Sequence, residues 1–304
     1  MSNREALFEY IQTHHPRSHA GIVEARAVGS TEFDSIAELF LGWAIAARGD
    51  DHLRVLADAF VRFSNDVNLA QARYEAAGEY ANKSFADCRA ELYSQRDEMD
   101  DYLWGVYVTN FLWAHHMELS LFFRDRFVAA MPASPDIIEI APGHGGWGVW
   151  TLHSRPDASL RGFDIAPSSI AIASSIAGAA GVGDRATYEE RNALDLDSLP
   201  EEAADAVICS FLVEHLEEPE RLFAVIEHLL RPGMRGYVAG ALTAAQFDHI
   251  FEFRRESELL TLCEDNGLRV VETLSVSPRR VLKRARFLPR SMGLIVEKPA
   301  GPIW

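Results

Sequence analysis

The sequence has few cysteines, no long apolar run and a shortage of basic residues. Its three cysteines, Cys88, Cys209 and Cys263, lie far apart, which predicts reduced thiols and neither a disulfide framework nor a zinc site. No run approaches the roughly 20 apolar residues that a membrane span needs. The charged start MSNREALFEY also lacks the apolar segment of a signal peptide. These absences predict a cytoplasmic protein that binds no metal and no membrane.

The charge balance excludes a further class of partner. There are 45 acidic and 29 basic side chains, for a formal net charge of −16. Such a chain is expected to be soluble and is not attracted to nucleic acid or to anionic lipid. With 304 residues, of which 48% are hydrophobic, it can form one large domain or two ordinary ones.

Two parts of the chain differ in their hydrophobic pattern. Up to residue 130 the pattern is helical, since FDSIAELFLGWAIAA and DHLRVLADAFVRFSNDV carry apolar residues three and four apart. The segment MPASP, with two prolines in five residues, marks a junction. We therefore predict a helical region over residues 1–130, which covers the site and binds the acceptor, and a second domain over residues 136–304.

From residue 136 onward, short apolar segments alternate with amphipathic ones. The predicted strands are DIIEI, SLRGFDI, ATYEERN, DAVICSF, RGYVAGA, LRVVETLSV and MGLIVEK. The predicted helices between them include SSIAIASSIAGAA, PERLFAVIEHLL and ESELLTLCEDNG. Strands that alternate with helices indicate an α/β fold with a parallel sheet.

The glycine-rich stretch EIAPGHGGWG, Glu139 to Gly148, fits two kinds of cofactor loop. It matches the dinucleotide fingerprint, and it also fits a loop that binds S-adenosylmethionine (SAM). In both interpretations Asp164, about 20 residues further on, binds ribose hydroxyls. Glu139 favours SAM, because a carboxylate attracts the sulfonium and amino groups of SAM and repels a pyrophosphate.

Several motifs after this loop resemble those of the class I SAM-dependent methyltransferases. They are EIAPGHG, GFDIAPSSIAIA, RNALDLDSLP, SFLVEHLEEPERLF and LLRPGMRGYV, and the resemblance covers about residues 136–298. It implies a Rossmann-like seven-stranded sheet, mostly parallel with an antiparallel last strand. Ala141 stands where the family usually has its first glycine, and Asn192 stands where an aspartate is common.

The resemblance also implies the residues that bind SAM. These are Tyr107, Glu139, Ala141, Gly143, Gly145, Asp164, Ile165, Asn192, Ala193 and Phe211. Asn192 can still pair with the adenine edge, because its amide both donates and accepts. Alternatively, the glycines have only a structural role and form a tight turn between a strand and a helix.

The stretch from Tyr102 to Phe123 is apolar on nearly every face, as expected of a buried or cavity-lining helix. Tyr102, Val106, Thr109, Trp113, His116 and Phe123 share one stripe at helical spacing. We expect Tyr107 near the cofactor and His116 near the acceptor. The candidates for a catalytic base are His116, His115, His215 and His249, and a structural role is the alternative for each.

The resemblance implies methyl transfer to a small acceptor, with a specialised metabolite favoured by the aromatic helical cover. Alternatives are a cyclase or lyase of the same fold, a non-catalytic binding protein and an NAD-linked oxidoreductase. Arg280 and Arg284 belong to a run of six cations between Ser277 and Ser291, where they would bind an anionic acceptor or pair with acidic neighbours. The target atom stays open, as does the choice between a monomer and a homodimer.

Overall fold

Helices alone form the N-terminal part of the computed structural model, which describes residues 1–281 and 284–301. The helices are α1 (Asn3–His14), α2 (Pro16–Arg48), α3 (His52–Ala77), α4 (Phe85–Cys88), α5 (Arg96–Leu112) and α6 (Ala114–Phe122). No strand precedes residue 136. No helix in the described parts of the chain is long and apolar enough to cross a bilayer.

The rest of the chain forms a seven-stranded sheet with helices between its strands. Its strands are β1 (Asp136–Ile140), β2 (Ser159–Asp164), β3 (Ala186–Glu190), β4 (Ala204–Ser210), β5 (Leu230–Leu242), β6 (Arg269–Val276) and β7 (Arg290–Glu297). They lie in the order β3-β2-β1-β4-β5-β7-β6. Only β7 runs antiparallel to its neighbours β5 and β6. The predicted Rossmann-like sheet with an antiparallel last strand is confirmed.

The predicted helices between the strands are also present. They are α7 (Gly146–Ser154), α8 (Pro167–Ala179), α9 (Pro219–Leu229) and α10 (Glu256–Asp265). Proline occupies the first position of α8 and α9, where its missing N–H costs no hydrogen bond. The central strands β1 and β4 are apolar along most of their length because elements cover both faces of the sheet.

The hydrophobic core crosses the junction between the two parts of the chain. Phe40 of α2 packs edge-on against Trp150 of α7, with ring centroids 5.6 Å apart. Phe123 contacts both Trp147 of α7 and Tyr237 of β5, with centroid distances of 4.8 and 4.9 Å. The N-terminal helices and one side of the sheet therefore share a single core cluster.

The stretch from Tyr102 to Phe123 is not one helix, which corrects the expectation of a continuous stripe. Trp113 is extended (φ −99°, ψ 129°) and separates α5 from α6. No glycine or proline causes this break. The indole of Trp113 instead stacks on Phe63 of α3 and on His115, with centroids 5.5 and 5.3 Å apart. Tertiary packing of a large ring thus overrides the local helix preference.

Candidate functional site

The turn between β1 and α7 has three residues in the left-handed conformation. These are Ala141 (φ 51°), Gly143 (φ 55°) and Gly145 (φ 72°). Glycine adopts this conformation freely, whereas alanine is strained there by about 1–2 kcal/mol. Ala141 is held in place by its N–H, which donates to the Phe163 carbonyl at 2.8 Å. The turn therefore keeps its shape although a glycine is missing.

Glu139 lies beneath this turn, against the first turn of α7. Its Oε1 accepts a hydrogen bond from the Gly148 N–H at 3.0 Å. A Cβ on Gly148 would lie 2.1 Å from Oε2 of Glu139, so only glycine allows this approach. Oε2 is buried and has no hydrogen-bond partner among the described residues. Burial raises the pKa of Glu139 to about 8, against the effect of the Gly148 N–H.

Asp164, at the end of β2, connects two turns. Its Oδ2 accepts from the Gly143 N–H at 3.0 Å and its Oδ1 from the Ala166 N–H at 2.9 Å. Burial raises its pKa, and the hydrogen bonds from Ala166 and Gly143 oppose that rise. Asp164 and Ile165 both line a large cavity, and their role as ribose ligands stays a prediction.

Three further predicted cofactor residues line the same cavity: Asn192, Ala193 and Phe211. Oδ1 of Asn192 accepts from the Leu194 N–H at 2.9 Å, which leaves its NH₂ group as the free donor. Phe211 follows β4 with φ 57°, and its N–H donates to the Ala239 carbonyl at 2.8 Å. Asn192 and Phe211 thus sit at the ends of neighbouring loops on the carboxyl side of the sheet, where ligands bind in such folds.

Two predicted cofactor residues do not reach the cavity. Tyr107 is fully buried, and its hydroxyl donates to the Phe40 carbonyl at 2.8 Å, so it belongs to the core behind the cavity wall. Gly145 faces α8 instead, where a Cβ would lie 2.6 Å from Cβ of Ala173. The expectation that Tyr107 lies near the cofactor is therefore wrong, and Gly145 allows close packing between helix and turn.

The cavity has a volume of about 750 Å³ and joins two regions. One region lies over the carboxyl ends of β1, β2, β4 and β5, where Glu139, Asp164, Ser210 and Ala241 line it. The other lies under the N-terminal helices and is rich in aromatic side chains. Its aromatic lining is Phe60, Phe63, Phe85, Tyr93, Tyr102, Trp113 and Phe287. A cofactor and an apolar acceptor can therefore meet inside one enclosure.

All four predicted histidines line this cavity. His116 stacks on Phe211, with ring centroids 5.1 Å apart and planes at 29°. The Thr109 hydroxyl donates to the Val106 carbonyl at 2.7 Å, so the Nδ1–H of His116 donates to Oγ1 of Thr109 at 3.0 Å. This leaves Nε2 of His116 unprotonated. Burial lowers the pKa of His115 to about 3 and that of His116 well below its usual value.

His215 and His249 belong to a buried polar cluster with Glu214 and Asp248. Burial lowers the pKa of His215, but the Asp248 carboxylate outweighs this effect and raises it to about 9. Burial lowers the pKa of His249 to about 4 and raises that of Glu214 to about 7. A histidine that is already protonated at neutral pH cannot act as a base, so His215 is a poor candidate for that role.

Asp248 and Tyr93, which were not predicted as site residues from the sequence, both line the cavity. The Tyr93 hydroxyl donates to Oδ2 of Asp248 at 3.0 Å. A signal was present for Asp248: an acidic residue directly precedes a histidine after β4 and again after β5. Since β4 and β5 are neighbours in the sheet, the two pairs meet. Tyr93 is the last residue of a π-helical turn, Arg89–Tyr93. Nothing in the sequence indicated that it would line the cavity.

The arginine-rich segment after β6 mainly pairs with the N-terminal helices. Arg279 pairs with Glu118, and Nε of Arg280 lies 2.7 Å from Oε1 of Glu24. Arg279 and Arg280 line the cavity, whereas Arg284 does not. Lys283 lies outside the described residues. These contacts correspond to the pairing with acidic neighbours that was the alternative for this segment.

The central part of the chain is similar to a known protein family. Residues 137–233 match the family described as "Methyltransferase domain". An uncharacterized protein of a Synechococcus strain is 30% identical over 99 residues, which are 33% of this chain and 24% of that protein. The match thus spans about a quarter of the relative's length.

Solved structures share the fold at low identity. An O-methyltransferase family protein from Burkholderia thailandensis is 18% identical with a TM-score of 0.51, covering 88% of this chain and 73% of that one. The cyclase SpnF is 16% identical with a TM-score of 0.51, covering 61% of this chain and 82% of that one. The likeness to the Burkholderia protein extends over most of the chain and therefore includes part of the helical cover.

Proposed function

Because the chain contains a methyltransferase domain of the class I, SAM-dependent family, we propose that it methylates a small organic molecule. The observation that carries this proposal is the single cavity that joins the glycine-rich turn to the aromatic region under the helices. SAM supplies the methyl group when it is bound. The aromatic lining favours an apolar or aromatic acceptor, of the kind found among specialised metabolites.

The residues around the glycine-rich turn fit SAM chemically. The buried Oε2 of Glu139 lacks a partner among the described residues, and a carboxylate in that state favours a nearby cation. Asp164 offers carboxylate oxygens for ribose hydroxyls, and Asn192 offers its NH₂ group to adenine. We propose these three residues as the polar ligands of SAM, with Ile165, Ala193 and Phe211 as apolar contacts.

We propose His116 as the group that removes a proton when the acceptor is a hydroxyl. It stacks on Phe211 at the end of β4, and its free Nε2 can accept a proton. Its neutral state at physiological pH follows from burial. The low pKa makes His116 a weak base. A weak base is suitable for an acceptor hydroxyl that loses its proton while the new bond to the methyl group forms.

A product assay tests the proposed function. With a panel of small hydroxylated aromatic compounds, we expect S-adenosylhomocysteine together with a product heavier by one CH₂ unit, detected by mass spectrometry. His116→Gln should lower kcat about 10²- to 10⁴-fold at unchanged SAM affinity. His153→Gln is the control, because His153 is exposed and lies outside the cavity. An unchanged kcat in His116→Gln would contradict the role of that residue.

The same assay separates methyl transfer from the alternative reactions. SpnF is named a cyclase, so the fold by itself does not decide the reaction. A converted acceptor without S-adenosylhomocysteine would indicate a cyclase or lyase. Tight SAM binding without any conversion would indicate a binding protein. Calorimetry with NAD and with SAM tests the oxidoreductase alternative.

We propose Arg280, which lines the cavity, as an optional contact for an anionic group of the acceptor. Its guanidinium is largely exposed and pairs with Glu24, so an acidic acceptor would have to compete with that carboxylate. Arg284 contributes no lining to the cavity. We therefore propose that a negative charge on the acceptor is not required for binding.

Glu139→Gln is expected to change the pH dependence of SAM binding. The ligand-free carboxyl has a pKa of about 8, and a bound cation lowers that pKa. Below pH 8, binding must therefore expel a proton, which costs about 1.4 kcal/mol per pH unit. The Kd of the variant divided by that of the native protein should rise from pH 6 to 8, by at most about tenfold per unit, and then level off.

Isothermal calorimetry between pH 6 and 9 measures this ratio. The titration of SAM itself contributes to both proteins and cancels in the comparison. Glu227→Gln is the matched control, because Glu227 lies on α9 outside the cavity. A ratio that stays constant over the whole range would show that Glu139 does not face the cationic part of SAM.

A further inference from the structure

Three buried side chains converge where the loops after β4 and β5 meet. Glu214 and His215 belong to a short 3-10 turn, Val213–His215, and His249 follows β5. One ligand atom from each residue lies within 4.8 Å of the others. Oε1 of Glu214 is 4.0 Å from Nε2 of His249, and the two imidazole rings are perpendicular, with centroids 4.9 Å apart. Two imidazoles and a carboxylate are typical ligands of divalent transition metals.

The carboxylate of Glu214 forms no hydrogen bond of normal geometry to the described residues, although the Ala241 N–H and the His215 ring act to lower its pKa. Its side chain is completely buried. Both of its oxygens lack a hydrogen-bond partner within residues 1–281 and 284–301. A buried carboxylate is costly unless it is paired, hydrogen-bonded or bound to a metal. Nε2 of His249 lies 4.0 Å from Oε1 of Glu214, which is too far for a hydrogen bond.

Both histidines are oriented as metal ligands commonly are, through hydrogen bonds at the second ring nitrogen. Nδ1 of His249 donates to the Ala244 carbonyl at 2.6 Å. Nδ1 of His215 lies 3.0 Å from the Asp248 carbonyl and 3.3 Å from Oδ2 of Asp248. Tyr93 in turn donates to that carboxylate at 3.0 Å. These contacts fix each ring and leave Nε2 as the nitrogen that can face a metal ion. On His215, which is protonated at neutral pH in the ligand-free protein, Nε2 must release its proton when the ion binds.

The cluster faces the cavity, since Glu214, His215 and His249 all line it. Three protein ligands leave at least one coordination position for a molecule in the cavity, as in catalytic zinc sites. Ligand atoms around a tetrahedral zinc ion lie about 3.3 Å apart, given metal–ligand distances of about 2.0–2.2 Å. The three ligand atoms lie within 4.8 Å of one another, so side-chain movements of up to about 1.5 Å would bring them to the spacing around zinc.

We propose that Glu214, His215 and His249 bind one divalent transition-metal ion, with zinc as the representative, and present an open coordination position to the cavity. The site is separate from the proposed SAM ligands Glu139, Asp164 and Asn192. Metal binding is an equilibrium property that needs no turnover. The inference therefore holds or fails independently of methyl transfer. It also revises the expectation from the sequence that the protein binds no metal.

The test uses the full-length protein without a polyhistidine tag, stripped of metal with a chelator. Cobalt(II) is titrated in, and visible absorption is recorded, since cobalt with few ligands absorbs much more strongly than the hydrated ion. We expect one equivalent to bind, with bands that disappear when zinc is added. Elemental analysis after dialysis against zinc should likewise give one equivalent. Absence of the bands, or no stoichiometric zinc, would overturn the proposal.

Substitutions test which residues bind the metal ion. Glu214→Gln and His249→Gln should each lower the metal affinity at least about 100-fold, because even loss of an outer hydrogen-bond partner costs about 10- to 100-fold. His228→Gln is the control, since this half-buried histidine on α9 binds the Leu199 carbonyl away from the cavity. An equal loss in all three proteins would contradict the assignment. If a ligand variant does not fold, the cobalt spectrum of the native protein decides.

Discussion

A truncated protein that begins at Ser134 is expected to aggregate and to lose SAM binding altogether. The physical reason is the core that crosses the junction. Removal of residues 1–133 would eliminate Phe40, which packs against Trp150. It would also eliminate Phe123, which packs against Trp147 and Tyr237. Buried aromatic side chains account for about 150–250 Å² each, so the sheet domain would expose an apolar patch larger than soluble monomers tolerate.

Size-exclusion chromatography and calorimetry with SAM measure these two losses. The control is the same truncated chain produced together with residues 1–133 as a separate polypeptide. If the shared core is the cause, the second polypeptide should restore solubility and SAM binding. A truncated protein that is monomeric and binds SAM with native affinity would contradict our proposal that the two predicted regions are inseparable.

Asp164→Ala is expected to weaken SAM binding at least about tenfold. A carboxylate that accepts hydrogen bonds from ribose hydroxyls contributes about 1.5–3 kcal/mol for each bond. The substitution also removes the acceptor of the Gly143 and Ala166 N–H groups, so the two turns lose their connection. Both effects act in the same direction, and calorimetry alone gives only their sum.

Ribose analogues separate the two effects. In the native protein, 2′-deoxy and 3′-deoxy forms of S-adenosylhomocysteine should bind more weakly than the parent compound. In Asp164→Ala this difference should vanish if the carboxylate holds the hydroxyls, as in a double-mutant cycle. A difference that persists in the variant would leave Asp164 only its structural role. Asp184→Ala, an exposed position before β3, serves as the control for nonspecific loss.

The sequence by itself determined the sheet and the side of it on which a ligand binds. DIIEI is a short, mostly apolar run, and PERLFAVIEHLL has the 3.6-residue period of a helix, so each fits one kind of element in context. The glycines after β1 and the acidic residue after β2 are local signals, since turn geometry depends on neighbouring residues. The resemblance to the class I SAM-dependent methyltransferases implied Asp164, Asn192 and Phe211 as cofactor residues, and all three line the cavity.

Tertiary structure alone decided what lies on the other side of the cavity. The break at Trp113 follows from ring packing against Phe63, a contact 50 positions apart in the chain. The resemblance to the methyltransferase family implied that Tyr107 lies near the cofactor, yet its hydroxyl donates to the carbonyl of Phe40 on another helix. Such contacts depend on how the helices pack against each other, and a single sequence does not indicate that packing.

The polar cluster shows both contributions together. The adjacent pairs Glu214–His215 and Asp248–His249 are visible in the sequence, and the strand order brings β4 beside β5. Whether the four side chains are buried, which nitrogen is free and which carboxylate lacks a partner depend on three-dimensional packing. Desolvation depends on every neighbouring element. The identities of these residues can therefore be read from the sequence, but their protonation states can be derived only from the tertiary structure.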